Sequence, residues 1–260
     1  MGRYSAAEQT NSKDNGPTGL DDIFRNLCRS SPWKWNSLRF EYLDLPGSAT
    51  NVVRGWLRRP GALRLESRDG LLLHSTTGIN DTRDDFYVSS TRRSWLLPAY
   101  LVTPVYDDAG LVRRRPEAAY GEPSFGNGRL AAALDPVELA GNAPAPLEFP
   151  DLNPVEVENV REVDDDDRQA LEAVVTPGRS YSPTDPGSPL AQAGRTLVRV
   201  DAGTGVCVAS KALDGSAAGT GHRLTILAVD EYMLDDLFLA ESMNLTDVRR
   251  HIPWDIGPLA

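Results

Sequence analysis

Apolar residues recur along this chain at two spacings, and the spacing changes near residue 36. In the first segment they fall three, four and seven residues apart, which is the period of one helix face. Those positions are Leu20, Ile23, Phe24 and Leu27. Thr18 and Asp21 stand in a T-x-x-D arrangement that favours a helix start. The pattern predicts a helix that packs by one apolar side.

From residue 38 onward apolar and polar residues alternate, which is typical of strands with one buried face. Strands are predicted at 38–42, 51–59, 62–67 and 71–75, and as a pair within 85–89 and 92–97. Turn sequences separate them, among them Arg59-Pro60-Gly61 and the hairpin pair Asp69-Gly70. Strands joined by short turns predict an antiparallel meander rather than strands that alternate with helices.

The middle of the chain carries one clear helix signal. Asp135 as the cap residue, Pro136 in the first turn and Gly141 as the stop predict a short helix. Residues 142–154 contain four prolines, and this composition predicts a linker or lid without regular structure.

Two strand-like segments flank an acidic run at 164–167. Residues 155–163 fit a strand, whereas 169–176 fits either a strand or a helix. Further strands are predicted at 196–201, 206–211 and 223–230. The predicted organisation is a disordered arm at 1–17, one domain at 18–240 and a tail at 241–260.

Composition narrows the class of partner. The 260 residues include 27 Lys and Arg against 37 Asp and Glu, for a formal net charge of −10. Nucleic acids and anionic membrane surfaces require a dense cationic footprint, so we predict no nucleic-acid partner. No stretch approaches the ~20 apolar residues of a membrane-spanning helix. Because residues 1–17 lack the apolar core of a signal peptide, we expect a cytoplasmic protein with reduced cysteines.

Sequence motifs for catalysis and cofactor binding are absent. The chain contains no G-x-x-x-x-G-K-[ST], H-E-x-x-H, C-x-x-C or G-x-S-x-G. Residues 126–131 match a relaxed dinucleotide fingerprint, but Glu122-Pro123-Ser124 precedes them where a buried strand is required, so a turn is favoured. His74, His222 and His251 lie too far apart along the chain to form a zinc-binding pair.

The acidic run and the two cysteines also have structural explanations. A calcium loop that began at Asp164 would need Gly at its sixth position and an acid at its twelfth, which are Gln169 and Val175 here. A solvated turn is therefore favoured. Cys28 and Cys207 fall at apolar positions of a predicted helix and strand, which favours buried thiols. We predict no catalytic residue, no metal and no cofactor.

Aromatic residues raise the question of a binding pocket. Those on neighbouring predicted strands are Trp56, Phe86, Tyr87 and Trp95. They either line a concave pocket or pack the sheet beneath the helices. Trp33 and Trp35 either fasten the first helix to the sheet edge or are exposed for a partner.

The order of several segments resembles that of the LolA-like lipoprotein carriers. Residues 56–66, with the sequence WLRRPGALRLE, and the following Asp69-Gly70 are similar to the strand–turn–strand signature of that family. The other matching segments are 135–140, where the family often has a short lid helix, and 201–206, 224–229 and 235–238, which resemble its closing strands.

This resemblance implies a mainly β (α+β) fold, in which a curled antiparallel sheet forms an incomplete barrel with short helices on its concave side. Members of the family bind acyl chains or lipidated proteins in that concavity, and a related domain is a sensor in envelope-stress signalling. Burial of each methylene contributes about 0.8 kcal/mol. A lipid binder of this kind therefore needs few specific polar residues.

Three functional hypotheses follow. The first is a non-catalytic binding module for a lipid or other hydrophobic small molecule in the concave face. Its predicted ligand-binding residues are Trp56, Leu63, Leu65, Phe86 and Trp95. The second is a protein-interaction or regulatory module that binds a protein partner through loops 98–128 and 142–192. The third is a hydrolase with a dispersed site, which a Ser–His contact or paired carboxylates in a cleft would support.

Overall fold

Nine antiparallel strands form one open sheet in the computed structural model, which describes residues 19–77, 97–118 and 127–240. The described strands are β1 (Ser37–Leu45), β2 (Val53–Arg58), β3 (Ala62–Ser67), β4 (Leu72–Thr76), β5 (Val105–Tyr106), β6 (Val112–Arg114), β7 (Val155–Asp165), β8 (Arg168–Pro177), β9 (Thr196–Asp201), β10 (Cys207–Ala212) and β11 (Gly221–Val229). β5 and β6 form a separate ribbon.

The strand order in the main sheet is β4-β3-β2-β1-β11-β10-β9-β8-β7. Two meanders, one before and one after the β5–β6 ribbon, therefore join where β1 pairs with β11. The sheet does not close, because β4 and β7 lie at its opposite ends. These features confirm the predicted mainly β fold, an incomplete barrel of antiparallel strands.

Two α-helices, α1 (Leu20–Lys34) and α2 (Gly128–Leu134), pack on the concave face of the sheet. α1 buries Phe24, Leu27 and Cys28 against the β7–β9 region, which confirms its predicted apolar side except at Leu20, which is exposed. Its cap residue is Gly19, without a side-chain hydrogen bond, and Thr18 lies outside the described residues. Short 3-10 helices occur at Ala49–Asn51, Ala99–Leu101, Pro136–Leu139, Pro150–Leu152 and Asp235–Phe238.

The interpretation of residues 126–131 as a turn is wrong from Gly128 onward. α2 begins there because the Asn127 side chain accepts a hydrogen bond from the Leu130 backbone N–H and so caps the helix. Leu130 and Leu134 are then buried against the sheet. The short helix predicted after Asp135 is confirmed as the 3-10 helix Pro136–Leu139.

Alternation along the strands separates the two faces of the sheet. On β8, Leu171 and Ala173 face α1, whereas Glu172 between them faces the opposite way, which we call the outer face. On β3, Leu63 and Leu65 face the concave side and belong to a second apolar cluster. A third and much smaller cluster, around Phe238, lies on the outer face.

The acidic run at 164–167 forms the hairpin turn between β7 and β8. Asp166 and Asp167 have φ values of 50° and 62°, in the left-handed region that aspartate tolerates in turns. The turn prediction is confirmed, and 169–176 is a strand. One part of that prediction is wrong: Asp165 is buried, because Arg199 and Arg223 both donate to its carboxylate.

Several sequence predictions concern residues outside the described ranges. The strand pair within 85–97 lies almost entirely outside the described residues, as do the arm at 1–17 and the tail at 241–260. Among the helices of the described ranges, none is both long enough and apolar enough to cross a bilayer.

Candidate functional site

The five predicted ligand-binding residues do not share one surface. Leu63 and Leu65 lie side by side on the concave face of β3 and are buried. Trp56 lies on the outer face, because its neighbour Leu57 pairs with Leu63 and faces inward. Phe86 and Trp95 lie outside the described residues. The structure thus brings two of the five together and separates Trp56 from them.

The concave face is filled in the part of the chain that the structure describes. Side chains of α1, α2 and the facing strands form two contiguous buried clusters there. A cavity of about 10 Å³ beside the β7–β8 turn is lined by Asp165, Asp201 and Leu224 but not by Leu63 or Leu65, and it has room for about one water molecule. A lipid that bound beside Leu63 would therefore have to displace side chains that pack there now.

α1 carries buried polar residues that organise the loops around it. The Arg29 guanidinium is buried and donates to the carbonyl oxygens of Ala140 (2.7 Å) and Gly141 (2.9 Å) and to the Asn26 side chain (2.7 Å). Burial lowers the pKa of Arg29 to about 10, so the side chain stays cationic at neutral pH. The sequence analysis missed Arg29, since an arginine on a helix predicts exposure unless its partners are known.

The two tryptophans near the end of α1 fasten it to its neighbours, which decides between the two alternatives. Trp35 is buried, with the Arg59 guanidinium 3.4 Å above its ring. The Trp33 indole N–H donates to the carbonyl oxygens of Ala99 (2.8 Å) and Val102 (3.0 Å). Both tryptophans therefore serve packing within the chain.

The segment that Trp33 holds displays a group of apolar side chains. We call this group the apolar platform: Tyr100, Leu101, Val105 and Tyr106, whose exposed fractions are 67%, 59%, 55% and 47%. The side chains of Ala99 and Val102 face inward and are buried. The sequence analysis named loop 98–128 but could not separate the outward side chains from the inward ones.

Two further hydrogen bonds from α1 hold the part of the chain that follows the platform. The Asn26 amide donates to Asp107 at 2.8 Å. The Ser30 hydroxyl accepts from the Val112 backbone N–H at 2.8 Å. The platform therefore has fixed backbone anchors, and its apolar side chains are exposed even though the segment is packed.

Ser210 and His222 form the Ser–His contact that the hydrolase hypothesis requires. The Ser210 hydroxyl lies 2.8 Å from His222 Nδ1, and His222 Nε2 lies 2.8 Å from the Cys207 carbonyl. Because the carbonyl can only accept, Nε2 carries the proton and Nδ1 accepts from the serine. Both residues are buried and Tyr42 stacks on the imidazole. No described cleft reaches this pair, so its geometry fits a packed polar pair.

The two cysteines are buried in the cluster beneath α1, as predicted. Burial raises the pKa of Cys28 to about 12 and raises that of Cys207 in the same direction. Both thiols are therefore protonated at neutral pH and poor nucleophiles. Within the described ranges, no group of three His, Cys, Asp or Glu side chains is arranged to hold a metal ion.

The outer face of β7–β11 carries a network of ion pairs. Glu172 is buried between Arg199 (2.7 Å) and Arg161, and Arg199 also contacts Asp165 (2.9 Å). Arg223 contacts the same Asp165 oxygen at 2.8 Å. All the carboxylates in this network are engaged with arginines, so the network is a structural feature of the sheet.

Two solved structures that resemble this chain are a crystal structure of MucB and an outer membrane lipoprotein-sorting protein domain from Vibrio parahaemolyticus. MucB is 15% identical, with a TM-score of 0.34, over 87% of this chain and 65% of MucB. The Vibrio domain is 11% identical, with a TM-score of 0.27, over 85% of this chain and 95% of that domain. This chain thus spans about two thirds of the length of MucB.

Such distant likenesses support no conclusion about function. A scan against protein-family models finds no match for the chain, and a search of curated proteins finds none. What the protein does has to be argued from its own residues.

Proposed function

We propose that the protein is a non-catalytic binding module and that the apolar platform is its contact surface. The observation that carries this proposal is the exposure of four large apolar side chains within seven residues of packed backbone. Single exposed apolar residues are common on proteins, whereas a group of them is a frequent mark of an interaction site.

The residues beside the platform favour a protein as the ligand. Val105 pairs with Arg114 across the β5–β6 ribbon, and Arg113 and Arg114 are exposed without an ion-pair partner among the described residues. Tyrosine and arginine are enriched at the centres of protein–protein interfaces. The platform therefore suits a protein surface that offers apolar side chains and a carboxylate.

Site-specific photo-crosslinking tests this proposal. A photoreactive phenylalanine analogue replaces Leu101 in the platform, and a control carries it at Leu213, another exposed leucine that lies elsewhere. We expect a protein-sized adduct from position 101 and none from position 213 in lysate of the native cells. Equal adducts from both positions, or none from 101, would contradict the proposal.

The second candidate is the lipid or hydrophobic ligand in the concave face. It is favoured by Leu63 and Leu65, which face that side within a cluster separate from the one beneath α1. Leu65→Ala should change the affinity of delipidated protein for a fluorescent fatty acid by several-fold. Leu171→Ala, an equally buried change beneath α1, is the matched control. Native mass spectrometry of gently purified protein without a lipid adduct, together with no fatty-acid binding, would exclude this candidate.

A further inference from the structure

Beyond β11 the chain crosses to the outer face of the sheet and lies over β2 and β3. We call residues 231–239 the strap. Its Met233 and Phe238 side chains are buried, and together with Ala62 they form the small outer cluster. Trp56 is partly buried against the same cluster. The predicted ligand residue Trp56 thus already contacts a segment of its own chain.

The sheet binds the strap mainly through its backbone. Arg58 donates to the Met233 carbonyl at 2.6 Å, and Arg64 donates to the carbonyls of Leu237 (3.0 Å) and Leu239 (3.1 Å). These contacts are made to backbone oxygens and not to the side chains of the strap, in which Asp235–Phe238 form a 3-10 helix.

Three further contacts come from Arg58 and Ser75, and the two from Arg58 involve side chains of the strap. Arg58 pairs with the Asp235 carboxylate, and its guanidinium lies 5.0 Å from the centre of the Phe238 ring. The Ser75 hydroxyl donates to the Phe238 carbonyl. The groove thus selects an apolar residue, a carboxylate two residues later and a second apolar residue five residues after the first.

The strap packs on the smallest of the three apolar clusters among the described residues. Its cluster contains three buried residues, against sixteen beneath α1 and twelve in the second concave cluster. Tyr232 and Leu234 point into solvent. The segment starts after Asp230, which has a φ of 55° and accepts the Asn36 backbone N–H at 2.6 Å. This attachment at its base allows the strap to lift while β11 stays paired.

We propose that the outer groove, formed by Trp56, Arg58, Ala62, Arg64 and Ser75, is a peptide-binding groove that the strap occupies as a built-in competitor. Its partner is a segment of another protein that has the spacing of Met233, Asp235 and Phe238 and can form the same short 3-10 turn. This site is distinct from the apolar platform, and it stands or falls independently of the proposed function. While the strap is in place, the apparent affinity for the partner is the intrinsic affinity multiplied by the fraction of chains whose groove is open, so removal of the strap raises it by the reciprocal of that fraction.

Two measurements on the full chain test the proposal. Hydrogen exchange compares strap amides with those of β1, and we expect strap amides to exchange at least about tenfold faster, because local opening precedes global unfolding. Exchange of the strap only through global unfolding would overturn the proposal.

The second measurement uses a labelled peptide with the sequence of residues 230–240. We expect it to bind the Met233→Ser/Phe238→Ser chain about tenfold more tightly than the unaltered chain, since that variant weakens the strap and leaves the groove intact. Arg64→Ala in the same background should abolish the gain, and a peptide with serine at both anchors should not bind. A variant that stays folded by circular dichroism yet binds no peptide, or that dimerises by exchange of straps, would overturn the proposal.

Discussion

On the concave face, Arg29 of α1 places its guanidinium against backbone carbonyls at Ala140 and Gly141 and is buried. On the outer face, Arg199 and Arg223 pair with carboxylates and are about one third exposed. The first arrangement offers no route for water or ions, whereas the second is open to screening. The contacts of Arg29 should therefore stabilise the fold equally at any ionic strength, whereas the outer ion pairs should weaken as salt is added.

Loss of the buried arginine should have the largest effect. Arg29→Met removes all donors at a buried site and leaves the Ala140 and Gly141 carbonyls and the Asn26 amide oxygen unsatisfied. We expect the free energy of unfolding to fall by about 3–5 kcal/mol in urea titrations, because each buried acceptor that loses its donor costs about 1–3 kcal/mol. The loss should be nearly the same at low and high salt.

Arg113→Met is the control for this prediction. Arg113 is exposed and has no ion-pair partner among the described residues, so its replacement should change the free energy of unfolding by less than about 0.5 kcal/mol. A loss of unfolding free energy below about 1 kcal/mol for Arg29→Met would contradict the prediction that the buried Arg29 site stabilises the fold more than the ion pairs of the outer face do.

The second largest effect on stability should come from the buried His222, and it should appear at acid pH. Burial lowers the pKa of His222 from 6.5 to about 4, so the folded state keeps it neutral while the unfolded state protonates it. Its full contribution to stability is present above pH 6.5 and is lost as the pH falls towards 4. The shift corresponds to about 3 kcal/mol.

Urea titrations at pH 7, 5.5 and 4 measure this loss. His222→Gln keeps a donor for the Cys207 carbonyl and should flatten the acid dependence, although its stability at pH 7 should be lower. His74→Gln, on half-exposed β4, leaves His222 in place and should retain the full acid dependence. An equal slope for His222→Gln and the unaltered chain would show that the imidazole is already charged in the folded state.

Sequence patterns predicted those helices and strands whose buried residues follow a regular spacing along the chain. The alternation of Leu63 and Leu65 with Arg64 identified β3, and the spacing of Phe24 and Leu27 identified α1. Contacts between distant segments left no such signal. Trp56 was predicted as a ligand residue because the sequence does not show that Phe238, about 180 residues later, packs over this part of β2.

The candidate surfaces were harder to predict for the same physical reason. Residues 99–102 are all apolar, so the sequence does not show which of them are exposed. Tyr100 and Leu101 face solvent because the Trp33 indole holds the neighbouring carbonyls of Ala99 and Val102. The burial of Arg29 has no local sequence signal, because the carbonyls to which it donates lie more than 100 residues away along the chain. Side-chain direction in such segments is set by tertiary hydrogen bonds, which periodicity does not report.

The smallest of the three effects should come from the outer face, at Glu172. Burial acts to raise the pKa of this carboxyl, but hydrogen bonds from Arg199 and Arg161 outweigh it and leave the pKa lowered. Glu172 therefore contributes stability above its unfolded pKa of about 4.3, and that contribution is lost as the pH falls through the lower folded value. At neutral pH, Glu172→Gln should cost about 1–2 kcal/mol, less than the loss expected for Arg29→Met, because both arginines can turn to water.

Salt decides whether the two faces really differ. Arg161 and Arg199 have side chains that are 69% and 33% exposed, so added salt should screen their attraction to Glu172 and shrink the loss on Glu172→Gln. Urea titrations at about 0.05 M and 1 M NaCl measure this change, with Glu162→Gln on the exposed side of β7 as the matched control. A Glu172→Gln loss that salt leaves unchanged would mean that the outer network behaves like the buried Arg29 site, because a carboxylate shielded from ions keeps its hydrogen bonds at any ionic strength.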